Sequence, residues 1–90
     1  MSVKIDFHRI RSVSVSESFL IRIEFENGIE KEYDLNRLKD RPEFALLFRH
    51  PDFAKAVRVD PGGYGISWND EIDIGCEELW NHGMTLDRVT

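Results

Sequence analysis

Phe19-Leu20-Ile21-Arg22-Ile23-Glu24-Phe25-Glu26-Asn27-Gly28-Ile29-Glu30-Lys31-Glu32-Tyr33-Asp34-Leu35 is the stretch that decides the fold. Phe19, Ile21, Ile23 and Phe25 alternate with Leu20, Arg22, Glu24 and Glu26, the period of a strand with one buried face. After the turn, Ile29, Lys31, Tyr33 and Leu35 alternate with Glu30, Glu32 and Asp34. Parity fixes the turn length. A two-residue Asn27-Gly28 turn sets Phe25 opposite Glu30, Ile23 opposite Glu32 and Ile21 opposite Asp34, with acids on the apolar face. A three-residue loop, Glu26-Asn27-Gly28, instead pairs Phe25 with Ile29, Ile23 with Lys31 and Ile21 with Tyr33. A one-residue slip inverts the face, so the apolar pattern selects the longer loop. Such loops are a type I turn closed by a left-handed residue, which Gly accepts without a Cβ clash. The spacing predicts positive φ at Gly28 and a hairpin with a core face and an acidic face.

Working outward, Val13 to Ser16 alternates Val and Ser, a strand beginning near Ile10. Asn36 reads as a helix cap before Arg37, Leu38 and Lys39, and Pro42 interrupts that helix. Phe44, Leu47 and Phe48 follow at helical spacing, and His50-Pro51-Asp52 marks a turn. Phe53 and Val57 read as buried, Val57 to Val59 as a short strand, and Pro61-Gly62-Gly63 as a turn. Ile66, Trp68, Ile72 and Ile74 form a second hairpin around Asn69-Asp70-Glu71. The same parity places Trp68 opposite Ile72 and puts Glu71 where Gly is preferred, so Glu71→Gly is expected to stabilise by about 1 kcal/mol. Gly75 caps a helix from Cys76 to His82, with Glu77 and Glu78 at its positive end and Gly83 after it. Residues 84–90 read as a loose tail, or as packed in a neighbouring chain. The resulting class is α+β: a two-layer, mostly antiparallel sheet of short hairpins in βββαβββα order, with helices on one face.

Ninety residues make a single domain, 1–90, with a small core. The net charge of −5 argues against general binding of nucleic acid or anionic membrane, and favours a basic protein partner. One cysteine allows no internal disulfide and suits a reducing cytoplasm. The first nine residues contain no secretory leader, and no apolar run approaches the roughly 20 residues of a membrane span.

Three segments carry a resemblance. They are Phe25-Glu26-Asn27-Gly28 with Tyr33-Asp34-Leu35, then Phe44-Ala45-Leu46-Leu47 to Phe53, then Trp68-Asn69-Asp70-Glu71-Ile72-Asp73-Ile74 with Glu78-Leu79-Trp80. In order and spacing these resemble a bacterial family known only as domain of unknown function 2442, over roughly residues 9–82. The resemblance implies a small α+β domain, alone or followed by a helix-turn-helix region, and in standalone form often one half of a toxin–antitoxin-like gene pair. It implies no catalytic residue. The shared positions are Gly28, Asp34, Phe44, Phe53, Trp68, Asp73 and Leu79. Glu71 departs from the family's Gly, Gly75-Cys76 departs from its Ser-Pro-like helix start, and the helix-turn-helix region is absent.

No cofactor motif is present, and no catalytic constellation. Asp70, Asp73, Glu77 and Glu78 lack calcium-loop spacing and read as a solvated turn and helix start. Asp73 reads as bonding the start of the last helix. His8, His50 and His82 lack metal-ligand spacing, and Cys76 has acidic neighbours that oppose a reactive thiol. Pro61-Gly62-Gly63-Tyr64-Gly65 lacks the ending of a phosphate loop. Arg9, Arg11, Arg22, Arg37, Lys39 and Arg41 are scattered among acids. Trp80, Tyr64 and Phe48, with Glu77 and Asp73, are the candidate interface, Trp68 is assigned to the core, and Gly28 and Glu71 are structural turn residues.

The reading is a non-enzymatic protein–protein module, the antitoxin-like or regulatory member of a bacterial gene pair, whose acids mask a basic neighbouring gene product. Exposed sheet edges admit a homodimer. Two alternatives stay open. One is a ligand-binding or catalytic domain using Asp34, Asp73 and Tyr64 in an acidic cleft. The other is a component of a transcription regulator that lacks its own DNA-binding region.

Overall fold

The structure, a computed structural model, describes residues 8–86. The leader reading falls mainly on residues 1–7, and residues 87–90 belong to the expected tail; both stretches lie outside the described residues. The strands are β1 (Ile10–Val15), β2 (Leu20–Phe25), β3 (Glu30–Asp34), β4 (Arg58–Val59), β5 (Gly65–Ser67), β6 (Asp73–Gly75) and β7 (Met84–Thr85). The helices are α1 (Ala45–Arg49), α2 (Pro51–Ala54) and α3 (Cys76–His82), with single 3-10 turns at Leu35–Leu38, Pro42–Phe44 and Pro61–Gly63.

The class is α+β and every pairing is antiparallel, but the strands divide into two sheets, β1-β2-β3-β7 and β4-β5-β6. Their inner faces and the helical segments share one core, which includes Ile21, Ile23, Phe25, Tyr33, Leu47, Ile66 and Leu79. The seam between the sheets is tight where the Pro61–Gly63 turn lies flat on β1. A Cβ on Gly63 would sit 2.7 Å from the Ile10 carbonyl oxygen, so no other residue fits there. Among the described residues, no helix is long and apolar enough to cross a membrane.

The β2–β3 hairpin has the register that parity selects: Ile21 faces Tyr33 and Ile23 faces Lys31. The Phe25 N–H donates to the Ile29 carbonyl at 2.9 Å, the Gly28 N–H donates to the Phe25 carbonyl at 2.9 Å, and Gly28 has φ +90°. The β1–β2 loop repeats this arrangement one hairpin earlier. Ser16 N–H donates to Leu20 at 2.9 Å, Phe19 N–H donates to Ser16 at 3.0 Å, and Phe19 has φ +62°. Phe19 therefore closes a turn and does not extend β2. Its left-handed backbone costs about 1 kcal/mol. Its ring packs 4.8 Å from that of Phe48, which is why a large side chain is kept at a glycine-like position.

The second hairpin has the expected partners, with Trp68 N–H donating to Ile72 at 2.9 Å and Ile66 opposite Ile74. It closes differently. Among the described non-glycine residues only Phe19 has positive φ, so Glu71 is not left-handed and the expected gain from Glu71→Gly is overturned. The Asn69 side-chain oxygen accepts from both Glu71 N–H and Ile72 N–H at 2.8 Å, and so replaces the backbone carbonyl that closes the other two turns.

Two further expectations are corrected. Asp34, not Asn36, caps the turn after β3: its carboxylate accepts from the Asn36 N–H at 2.9 Å. Met84–Thr85 is not loose, because Lys31 faces Thr85 and Glu32 faces Met84, and the Leu86 N–H donates to Glu30 at 2.9 Å.

With φ already negative, Glu71→Gly adds only unfolded-state freedom and is expected to destabilise by about 0.5–1 kcal/mol. Asn69→Ala strips both amides of their acceptor and should cost about 1 kcal/mol. Urea denaturation of the two variants checks both signs; a gain for Glu71→Gly would contradict this turn geometry.

Candidate functional site

The site is built on the way β3 holds α3. Hairpin register turns Lys31 inward, where it is only 8% exposed, and a buried ammonium must find partners. Its Nζ donates to the Trp80 carbonyl at 2.6 Å and lies 4.1 Å from the centre of the Trp80 ring. The His8 ring stacks on the same indole at 3.6 Å, with an interplanar angle of 8°. Two groups that close cannot share one face, so the indole is sandwiched between imidazole and ammonium. The Phe25 ring meets Trp80 at a near-perpendicular angle, 4.9 Å away.

Two residues further along β3, the Tyr33 hydroxyl donates to Glu78 Oε2 of α3 at 2.8 Å. Burial, then the Glu78 bond and charge, push the phenol upward against the opposing pull of Arg37 and Arg41. The Arg37 guanidinium lies over the Tyr33 ring and reaches His82 Nδ1 at 3.3 Å. His82 in turn lies 3.7 Å from Glu78. Cys76 begins α3, with its thiol donating to the His8 carbonyl. Burial first, then the Glu77 charge, push this thiol up to about 11, so at neutral pH it is protonated.

On the far side of Glu78 a cleft of about 270 Å³ opens between the two 3-10 turns that follow β3 and the edge of β6. Leu38, Phe44 and Ile74 give it an apolar lining. Glu43, Glu71, Asp73 and Glu78 bring carboxylates to it, with Arg41 the one cation among the described residues that line it. Glu78 is held by Tyr33 and His82. Among the described residues, the side chains of Glu43, Glu71 and Asp73 make no hydrogen bond or ion pair. A neighbouring cleft is lined by residues that include Asp60, Ser67, Asn69, Asp70 and Asp73, where Ser67 donates to Asp60 at 2.6 Å.

Charge is partitioned about this cleft. Residues 59–86 hold six acids and no Lys or Arg. Residues 35–58 hold Arg37, Lys39, Arg41, Arg49, Lys55 and Arg58 against three acids. The cleft lies on the boundary. Sequence reading named Asp73 and Glu71 separately but missed that Glu43 lines the same cleft, because the cleft joins segments far apart in the chain. The run of 29 residues, 59–87, without Lys or Arg was the legible signal.

The sequence-named residues fall in several places. Asp73 is exposed at the cleft and its carboxylate makes no hydrogen bond to the start of α3, whose N-cap is Gly75. Glu77 is exposed on α3. Phe48 is half-buried against Phe19, and Trp80 is half-buried in its sandwich. Tyr64 is 56% exposed, with Arg9 over its ring and bonded to its hydroxyl at 3.2 Å. Trp68 is core, its indole N–H donating to the Ala54 carbonyl at 2.8 Å. Asp34 caps its turn, and neither Asp34 nor Tyr64 lines either cleft. His50 is exposed and apart from His8 and His82, which sit on Trp80 and Glu78. Among the described residues, no group of three or more His, Cys, Asp or Glu side chains is placed to hold a metal ion.

Residues 10–85 match the model of a family described as a protein of unknown function, DUF2442. No curated protein and no solved structure matches the chain.

A thiol held above its ordinary 9.0 favours the fold fully below that pH, and the contribution is lost as pH rises toward 11. Tyr33 adds a loss of the same sign, beginning near its ordinary 10.0. Denaturant midpoints should therefore fall between pH 9 and 11. Cys76→Ala should remove up to about 2–3 kcal/mol of that slope. An unchanged slope in the variant would contradict a buried, protonated Cys76.

Proposed function

We propose that this chain, which belongs to the DUF2442 family, is a non-enzymatic protein–protein module whose acidic cleft receives a basic segment of a protein partner. The observation that carries this reading is the set of three carboxylates that have no partner among the described residues, Glu43, Glu71 and Asp73, around the apolar lining of Leu38, Phe44 and Ile74. A Lys or Arg side chain matches both halves. Its methylene stem covers the lining while its charged head meets the rim. Lys and Arg are absent from residues 59–86, so the acidic side of the cleft adds to the attraction.

The partner we propose is a basic product of the neighbouring gene, with this chain as the antitoxin-like or regulatory member that masks its basic, RNA-directed surface. A cytoplasmic setting goes with this reading, since the single cysteine cannot form an internal disulfide.

Co-expression with the product of the adjacent open reading frame tests the proposal. A complex should co-purify, weaken as salt is raised, and relieve any toxicity of the neighbour. Reversing Glu71→Lys together with Asp73→Lys should weaken it at least about tenfold by calorimetry, equivalent to about 1.4 kcal/mol. No complex, with toxicity unchanged, would overturn the antitoxin reading.

A further inference from the structure

We propose that the open edge of β6 is a strand-docking site, where an extended basic peptide adds as a fourth strand to the β4-β5-β6 sheet. This deepens the interaction-module reading and rests on it, because it specifies how the partner is held.

The ladder shows which backbone groups are free. Trp68 and Ile72 form a hydrogen-bonded pair at 2.9 Å. Bonded and non-bonded pairs alternate along an antiparallel ladder, so Ile66 and Ile74 are bonded and Ser67 and Asp73 are not. The other side of β5 agrees. Asp60 N–H donates to Gly65 at 2.9 Å, and Ser67 then turns its backbone to Arg58 of β4. The backbone N–H and C=O of Asp73 therefore point away from β5. No described residue pairs with them.

The edge is also accessible. Among the described residues β6 ends its sheet, Asp73 and Gly75 are exposed, and a Cβ placed on Gly75 would meet nothing within 4 Å. The cleft that contains Glu43, Glu71 and Asp73 runs along this edge. The other edges differ. β4 and the Pro61–Gly63 turn lie against β1, and β7 is two residues long.

Charge selects the occupant. An added strand places the side chain opposite Asp73 on the same exposed face, within reach of its carboxylate. Its neighbours meet Glu71 and Glu43 across the cleft. Main-chain bonds supply attachment and these acids choose Lys or Arg, the division of labour of strand addition. An acidic strand would set like charges opposite one another.

The test uses the full chain, labelled with nitrogen-15, and three synthetic hexapeptides. These are acetyl-Val-Lys-Val-Lys-Val-Lys-amide, the analogue with Glu in place of Lys, and the Lys peptide with every backbone amide N-methylated. The Lys peptide should bind and slow hydrogen exchange of the Asp73 amide at least about tenfold at saturation. The Glu peptide should not bind, and the N-methylated peptide should bind at least about tenfold more weakly. Equal binding of the two Lys peptides, or unchanged Asp73 exchange at saturation, overturns strand addition and leaves a cleft that recognises charge alone. No binding by any peptide at millimolar concentration also overturns strand addition, and the module reading then stands or falls on co-expression alone.

Discussion

The bond from the Phe25 N–H to the Ile29 carbonyl sets the register on which the rest of this structure depends. Gly28 makes the three-residue turn sterically free, and the turn directs Ile21, Ile23, Phe25 and Tyr33 inward. Lys31 goes inward with them. A buried ammonium is tolerable only with its partners in place, so Trp80 must lie across it. That requirement docks α3 on β3, and with α3 comes the Glu78 wall of the cleft. The acidic site is thus a remote consequence of turn length.

Much of this was legible because it is local. Alternation and the Asn27-Gly28 pair gave the first hairpin and its register. The pairing of Trp68 with Ile72 was equally readable, and the α+β class followed from element order. The closing geometry of the second turn was not. Parity counts residues in a loop but does not reveal whether a backbone carbonyl or the Asn69 side chain accepts the closing bonds. Phe19 was misplaced for a related reason: its apolar character continues the β2 pattern, while its backbone already belongs to the turn.

The remaining features depend on contacts between distant segments. Two sheets replaced one because the Gly63 turn packs on β1 and the second hairpin does not extend the first. The candidate site was legible only in pieces: Asp73 and Glu71 were visible as turn acids, whereas Glu43 and Arg41 reach the same cleft from the turns that follow β3. Trp80 was singled out as a large aromatic near the chain end, but nothing local announced that Lys31 and His8 would occupy its two faces.

The short strand β7 has a consequence for how the larger sheet is shielded at its edge. Without it the larger sheet would end on β3, a strand of five residues that forms the second arm of the first hairpin. Bare edges of that kind recruit strands from other molecules. Met84 to Leu86 lie along Glu30 to Lys31 and Glu32 and replace the bare edge with a shorter one. This protection comes from a segment synthesised long after β3. A nascent chain therefore carries an open, sticky hairpin until residues 84–86 emerge, and that interval is when edge-to-edge aggregation is most favoured.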